Sequence, residues 1–174
     1  MKDDATLLQG YARHRSESDF AELVQRHVNL VYSSALRQVN GNVHFAQDVT
    51  QLVFIDLARK AASLAKHQVL AGWLFTSTRF AAAKLMRGEQ RRWRREQEAE
   101  SMQEITTSDS DASLDWERVR PVLDEALAEL GERDRDVILL RYLEGRNFAQ
   151  VGAKLSLSDN AARMRVDRAI DKLR

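Results

Sequence analysis

Phe20, Leu23, Val24, Val28, Val31, Ala35 and Val39 recur three or four residues apart, one apolar stripe on a helix that buries a single face. Ser16-Glu-Ser-Asp19 supplies cap residues just ahead of it, and a shorter helix is predicted over Asp4–His14. Asn40-Gly41-Asn42 then signals a turn. A second long helix is predicted from about Val43 to Ala62, with Ala46, Val49, Val53 and Leu57 on its core face. It also carries Leu52, Phe54 and Ile55 outside that stripe. A surface helix needs one apolar stripe, so the surplus predicts deep burial or a partner.

Ser63 to Gly72 reads as a looser stretch holding Lys66 and His67, and Trp73 to Arg95 as another helix. Trp73, Leu74, Ala81 and Leu85 face inward there, while Thr76, Arg79, Ala83, Arg87, Arg91 and Arg94 recur along another face, flanked by Lys84, Arg92 and Arg95. Glu96 to Ser113 is acidic, rich in Ser, Thr and Gln, and nearly without large apolar residues. Such a segment cannot offset its ordering entropy by burial, so it reads as a tether. Beyond it, four short helices are predicted: Val122–Leu130 ending at Gly131, Glu132–Leu143, a third from the Asn147-Phe-Ala-Gln150 cap to about Leu155, and a fourth capped by Ser158. The last carries Ala162, Val166, Ala169, Ile170 and Leu173 as its core stripe.

Composition agrees with an all-α chain, since 22 Ala and one Pro favour helix over strand. The 174 residues hold 27 Lys+Arg against 26 Asp+Glu, a net charge of +1 that would argue against a nucleic-acid binder. The average conceals a segregation. Residues 1–95 carry fifteen bases and eight acids, residues 96–117 eight acids and no base, and residues 118–174 twelve bases and ten acids. These blocks mark the expected organisation: helical domain 1–95, flexible acidic linker 96–117, helical domain 118–174. The absence of Cys excludes disulfides and thiolate metal sites, and no apolar run is long enough to cross a membrane. The first residues lack the pattern of a secretion signal, and a cytoplasmic location is expected.

Chemistry of the catalytic kind finds no footing. The chain has no Gly-rich phosphate loop, no Gly-x-Ser-x-Gly and no His-Glu-x-x-His. His14, His27, His44 and His67 lack ligand spacing and read as surface or half-buried; no cofactor, metal or catalytic residue is expected. Phe148 to Arg174 fits a helix-turn-helix instead, with small residues Ala149, Gly152 and Ala153 allowing close approach and Leu157 plugging the turn. Its second helix would enter a major groove, Arg163 reading a guanine and Arg165 or Arg168 holding phosphates. The Arg79–Arg95 stripe suits a phosphate backbone, and the interleaved Trp73, Phe75, Phe80 and Trp93 suit stacking on unpaired bases. On the residues alone, an αα-hairpin and a helix with merely solvated charge stay open as alternatives.

Four motifs resemble bacterial sigma factors of the extracytoplasmic-function class, in the family's order. Asp19-Phe-Ala-Glu-Leu-Val-Gln-Arg-His27 resembles the opening helix of the family's region two, and Ala46-Gln-Asp-Val-Thr-Gln-Leu-Val-Phe54 is similar to its Ala-Glu-Asp-Val-Thr-Gln-Glu-Val-Phe signature. Trp73-Leu-Phe-Thr-Ser-Thr-Arg79 stands where the family has Trp-Leu-Tyr-Arg-Ile-Ala-Arg, and Leu139-Leu-Arg-Tyr-Leu-Glu-Gly145 with the helix-turn-helix resembles region four. The resemblance implies a non-enzymatic promoter-recognition subunit that binds core RNA polymerase and promoter DNA, with an anti-sigma factor as further partner. By that likeness Asp48, Gln51 and Phe54 lie on the polymerase-docking helix; Lys66, Arg79, Phe80, Lys84, Arg87, Arg91 and Arg92 meet the −10 element; and Arg163, Met164, Arg165, Asp167 and Arg168 meet the −35 element. The tether would thread toward the polymerase active-site and RNA-exit channels. Gln47 and Leu52 replace usual Glu, Thr76 a usual Arg and Phe80 a usual Asn, and Asp167 would repel phosphate. A stand-alone helix-turn-helix regulator is the rival, although no dedicated dimerisation segment is visible. The chain stops at Arg174 where the final helix would still be running, which suggests a C-terminal extension removed or a short tail absent.

Overall fold

Asp3 opens the first helix by accepting a hydrogen bond from the Thr6 backbone N–H, and Arg15 closes it in the left-handed region at φ 50°. This helix, α1 (Asp4–His14), buries Leu7 and Leu8. The structure, a computed structural model, describes residues 2–67, 69–99 and 123–173. Ser16 caps α2 (Glu17–Gln38) through the Asp19 N–H, and Asn42 caps α3 (Val43–Leu64) through the Phe45 N–H. Between them Asn40 and Gly41 both take positive φ, as a tight turn requires. The fourth helix, α4 (Leu70–Ala99), has 30 residues and is about 45 Å long.

These four helices pack on one another and form the N-terminal unit. Ala46, Val49, Val53 and Leu57 are buried as their spacing predicts, as are Leu23, Val31 and Ala35 of α2 and Val39 at its C-cap. The α1–α2 packing relies on Gly10, where a Cβ would collide with the Asp19 carboxylate. The loose stretch expected over Ser63–Gly72 is shorter in the structure: α3 persists to Leu64 and α4 already starts at Leu70. Val69, Leu70 and Ala71 are buried, so tertiary packing orders backbone that local signals leave open.

Residues 123–129 form α5, followed by α6 (Glu132–Ile138). The helix predicted to run on to Leu143 widens into a π turn over Leu139–Leu143. Asn147 and Gln150 form a reciprocal capping box at α7 (Phe148–Leu155), and Ser158 caps α8 (Asp159–Lys172). Ser156 joins them at φ 56°. Gly152 is the close-approach residue: a Cβ there would sit 2.6 Å from the Leu157 carbonyl oxygen. Ala149 and Ala153, expected to share that role, are exposed and lie away from the buried Val151–Gly152 side of α7. Ala162, Val166 and Ala169 anchor α8.

The all-α class holds, with no strand among the described residues. The acidic linker expected over 96–117 lies outside the described residues beyond Ala99, and α4 runs to that point. The C-terminal unit does not stand apart from the N-terminal one. The first turns of α4 meet α6 and the π turn, Arg37 pairs with Asp124 at 2.9 Å, and Lys154 pairs with Asp4 at 3.0 Å.

Candidate docking groove and nucleic-acid interface

On α3, residues 48, 51, 52 and 55 lie on the face opposite the buried stripe. Asp48 and Gln51 are exposed there, beside Leu52 at 49% exposure and Ile55 at 38%. Phe54 is different. It is only 8% exposed and belongs to the core, so of the three residues expected on the docking surface two present themselves and the third supports them from beneath. Leu52 and Ile55 are the apolar residues exposed beside Asp48 and Gln51. Together with Phe80, Lys84 and Leu85 of α4 they line an open groove of about 590 Å³. Phe80 at the groove is 72% exposed.

The basic residues of α4 continue from that groove. Lys84, Arg87, Arg91 and Arg92 are exposed, and Trp93 is 64% exposed among them. The Arg91 guanidinium donates to the Arg87 carbonyl, and that of Arg95 to the Arg91 carbonyl, so each stem lies back along the helix while the charge stays at its surface. Of the aromatic residues interleaved with this stripe, Phe75 is buried in the core, and Trp73 is half-buried under the Lys60 ammonium, 5.7 Å from its ring. Phe80 and Trp93 alone of the four keep large exposed faces. Lys66 is exposed in the turn that precedes α4. Arg79 departs from the expectation of an open basic face: it is half-buried and opens on a small cavity of about 180 Å³ walled by Arg37, Asp124 and Glu125.

Arg163, Met164, Asp167 and Arg168 share the exposed face of α8. The Arg163 guanidinium lies 4.9 Å over the Phe148 ring, which Arg141 also approaches at 4.8 Å. This cation–π contact restrains Arg163 against the first turn of α7. Arg165 is not part of the open face. It is half-buried and its Nε stands 3.7 Å from Asp134, a carboxylate that Lys172 also contacts at 2.6 Å.

Sequence reasoning misses two carboxylate-bearing clusters. His27, expected at the surface or half-buried, is 1% exposed; its Nε2 lies 3.4 Å from Asp4 and its Nδ1 3.6 Å from Glu144, within ion-pair reach but off hydrogen-bond alignment. Its place on the α2 stripe, four residues from both Leu23 and Val31, is the signal that would have found it. Burial works against the charged form of Asp4, but His27 and Lys154 more than offset that and hold its carboxyl below the usual range. Asp136 is buried against Gly72 of α4, where a Cβ would clash with its carboxylate, and its Oδ1 has no hydrogen-bond partner. Burial, reinforced by Glu132, pushes this carboxyl up to about 6. Among the described residues no cluster of His, Cys, Asp or Glu could hold a metal ion, and no helix is long and apolar enough to cross a membrane.

Comparison with known proteins bears on both units. Residues 23–92 match the description Sigma-70 region 2, and residues 126–174 match Sigma-70, region 4. The chain is 29% identical to the RNA polymerase sigma factor CarQ of Myxococcus xanthus, over 93% of this chain and 91% of that protein. It is 30% identical to the ECF RNA polymerase sigma factor SigE of Mycolicibacterium smegmatis, over 88% of this chain but 59% of that longer protein. The solved structure of CnrH in complex with the cytosolic domain of CnrY covers 98% of this chain and is itself covered to 94%, at 21% identity and a TM-score of 0.45.

Proposed function

The chain belongs to the sigma-70 family, as an RNA polymerase sigma factor of the extracytoplasmic-function group, and from that premise we propose which surfaces do its work. The observation that supports the assignment best is the junction of two chemistries along the α3–α4 pair. A groove walled by Leu52, Ile55, Phe80 and Leu85 opens there, and a basic, aromatic-bearing stripe runs on from it along α4.

In this reading Asp48, Gln51, Leu52 and Ile55 dock core polymerase. Phe54 acts through packing, by holding the helix that presents them. Lys84, Arg87, Arg91 and Arg92 follow the phosphates at the −10 element, and exposed Phe80 and Trp93 offer faces on which melted bases stack. Lys66 and Arg79 join them once the seam between the units is free. On α8, Arg163 reads a base edge at the −35 element, with Met164, Asp167 and Arg168 around it. Arg165 sets the helix through Asp134 instead of meeting DNA.

The units would correspond to 1–95 and 118–174, with 96–117 as the linker. No reaction is assigned to the chain itself, which positions polymerase, and it acts where polymerase acts, in the cytoplasm. When polymerase is absent, the exposed Leu52–Ile55–Phe80 surface suits an anti-sigma factor as cover. Family membership over both units does not favour a stand-alone regulator.

The test is transcription in vitro with purified core polymerase and a library of promoters. Initiation at a shared −10/−35 pattern is expected. A protein that directs initiation nowhere, yet binds duplex DNA alone as a dimer, would overturn the reading.

A further inference from the structure

The seam between the two units is built from ionisable groups to an extent that packing alone does not require. At one end His27 of α2 is enclosed by Asp4 of α1 and by Glu144, which follows the π turn. Lys154 of α7 reaches the same Asp4, Arg26 bridges Asp4 and Glu22, and Arg146 holds Glu144 at 2.6 Å. At the other end Asp136 of α6 presses on the backbone of α4 at Gly72. Its own helix sets Glu132 and Arg135 beside it, and His67, Arg133 and Arg165 line the adjoining cavity.

We propose that this seam is a proton-linked clasp: uptake of a proton at Asp136 closes the C-terminal unit onto the N-terminal one, and its loss opens it. Of the two carboxylates around His27, Asp4 belongs to the same unit and Glu144 reaches it from across the seam. The buried Asp136 carboxylate has no donor for its Oδ1, so its neutral form fits the closed seam and its anion does not. With the Asp136 carboxyl raised from 3.8 to about 6, its contribution to closure is complete below the ordinary value and is lost as pH rises through about 6. That difference corresponds to a change in the closed-to-open ratio on the order of 100-fold. Asp4 does not oppose this, because its carboxyl is held below the usual range and stays charged throughout. The closed seam contains the turn around His67 and Val69 and the cavity beside Arg79, so closure withdraws part of the −10 surface proposed above.

The chain has no Cys, so a single pair can be placed at exposed positions on either side, Ala21→Cys and Asn160→Cys, and labelled for fluorescence energy transfer in the full chain. Transfer efficiency is expected to fall as pH is raised from about 4 to about 7. Asp136→Asn, which cannot ionise, is expected to hold high efficiency to the alkaline end. A flat profile for the parent chain overturns the proposal, as does an Asp136→Asn profile that tracks the parent. The readout needs neither polymerase nor DNA, so its failure is distinct from failure of the sigma-factor reading.

Discussion

Arg37 grips Asp124 across 87 residues of sequence, its Nε 3.2 Å from both carboxylate oxygens and its Nη2 2.9 Å from one, while the Gln38 amide donates to the same group at 3.1 Å. The Asp124 side chain is 3% exposed, so removing the guanidinium strands a buried charge. Arg37→Ala is expected to destabilise the packed state by about 3–5 kcal/mol. Urea denaturation followed by circular dichroism checks this, and adding Asp124→Leu to the same chain should recover much of the loss.

Gly152→Ala places a methyl group 2.6 Å from the Leu157 carbonyl oxygen, a backbone atom that cannot swing away. A loss of about 1–3 kcal/mol is expected, confined to the C-terminal unit. Hydrogen exchange of α7 and α8 amides should accelerate while that of α2 and α3 does not.

Leu52→Asp and Phe54→Ala should separate docking from support. Leu52 is half exposed, so its replacement is expected to leave stability within about 0.5 kcal/mol but weaken core-polymerase binding by roughly 2 kcal/mol, about 30-fold. Phe54 is buried, and its truncation is expected to destabilise the fold by about 3–5 kcal/mol. Thermal melts and fluorescence anisotropy with labelled core polymerase measure the two effects. Equal loss of binding at unchanged stability for Phe54→Ala would return it to the docking surface.

Arg163→Ala is expected to reduce use of −35-dependent promoters by about 1–3 kcal/mol, roughly 5- to 150-fold, with polymerase binding unchanged. Phe148→Leu removes the ring against which Arg163 rests and should show the same selectivity with smaller magnitude. Abortive initiation on promoters with and without a −35 element distinguishes these variants from general loss of activity.

Asp4 gives the acid side of the stability profile. Its folded-state carboxyl lies below the ordinary value, so its contribution is present above the ordinary carboxylate range and is lost only as pH falls beneath it. Denaturation midpoints of the parent chain should drop at strongly acid pH, and Asp4→Asn should be less stable at neutral pH with a flatter acid limb.

Helix ends are legible in this chain because their causes are local. Asp3, Ser16, Asn42, Asn147 and Ser158 each hold a backbone N–H within three residues, and a reader of the sequence can place them without a tertiary fold. The groove was half legible: surplus apolar residues on α3 predicted deep burial or a partner, and only packing reveals that Phe54 turns inward while Leu52 and Ile55 stay out. The seam was not legible. Arg37 and Asp124 are ordinary surface residues by type, and His27 reads as surface or half-buried until Asp4 and Glu144 are brought to either side of it. Long-range charge pairing leaves no periodic trace, and the π turn that carries the chain toward Glu144 has no spacing of its own.

Those five caps each lie in the same unit as the helix they start. None of these helix starts depends on a side chain from across the seam. Grafting one half onto a relative's other half would therefore leave these helix starts intact and put only the joint at risk. The halves are in that sense exchangeable parts, and the few charged residues along the joint determine which pairings of halves would match.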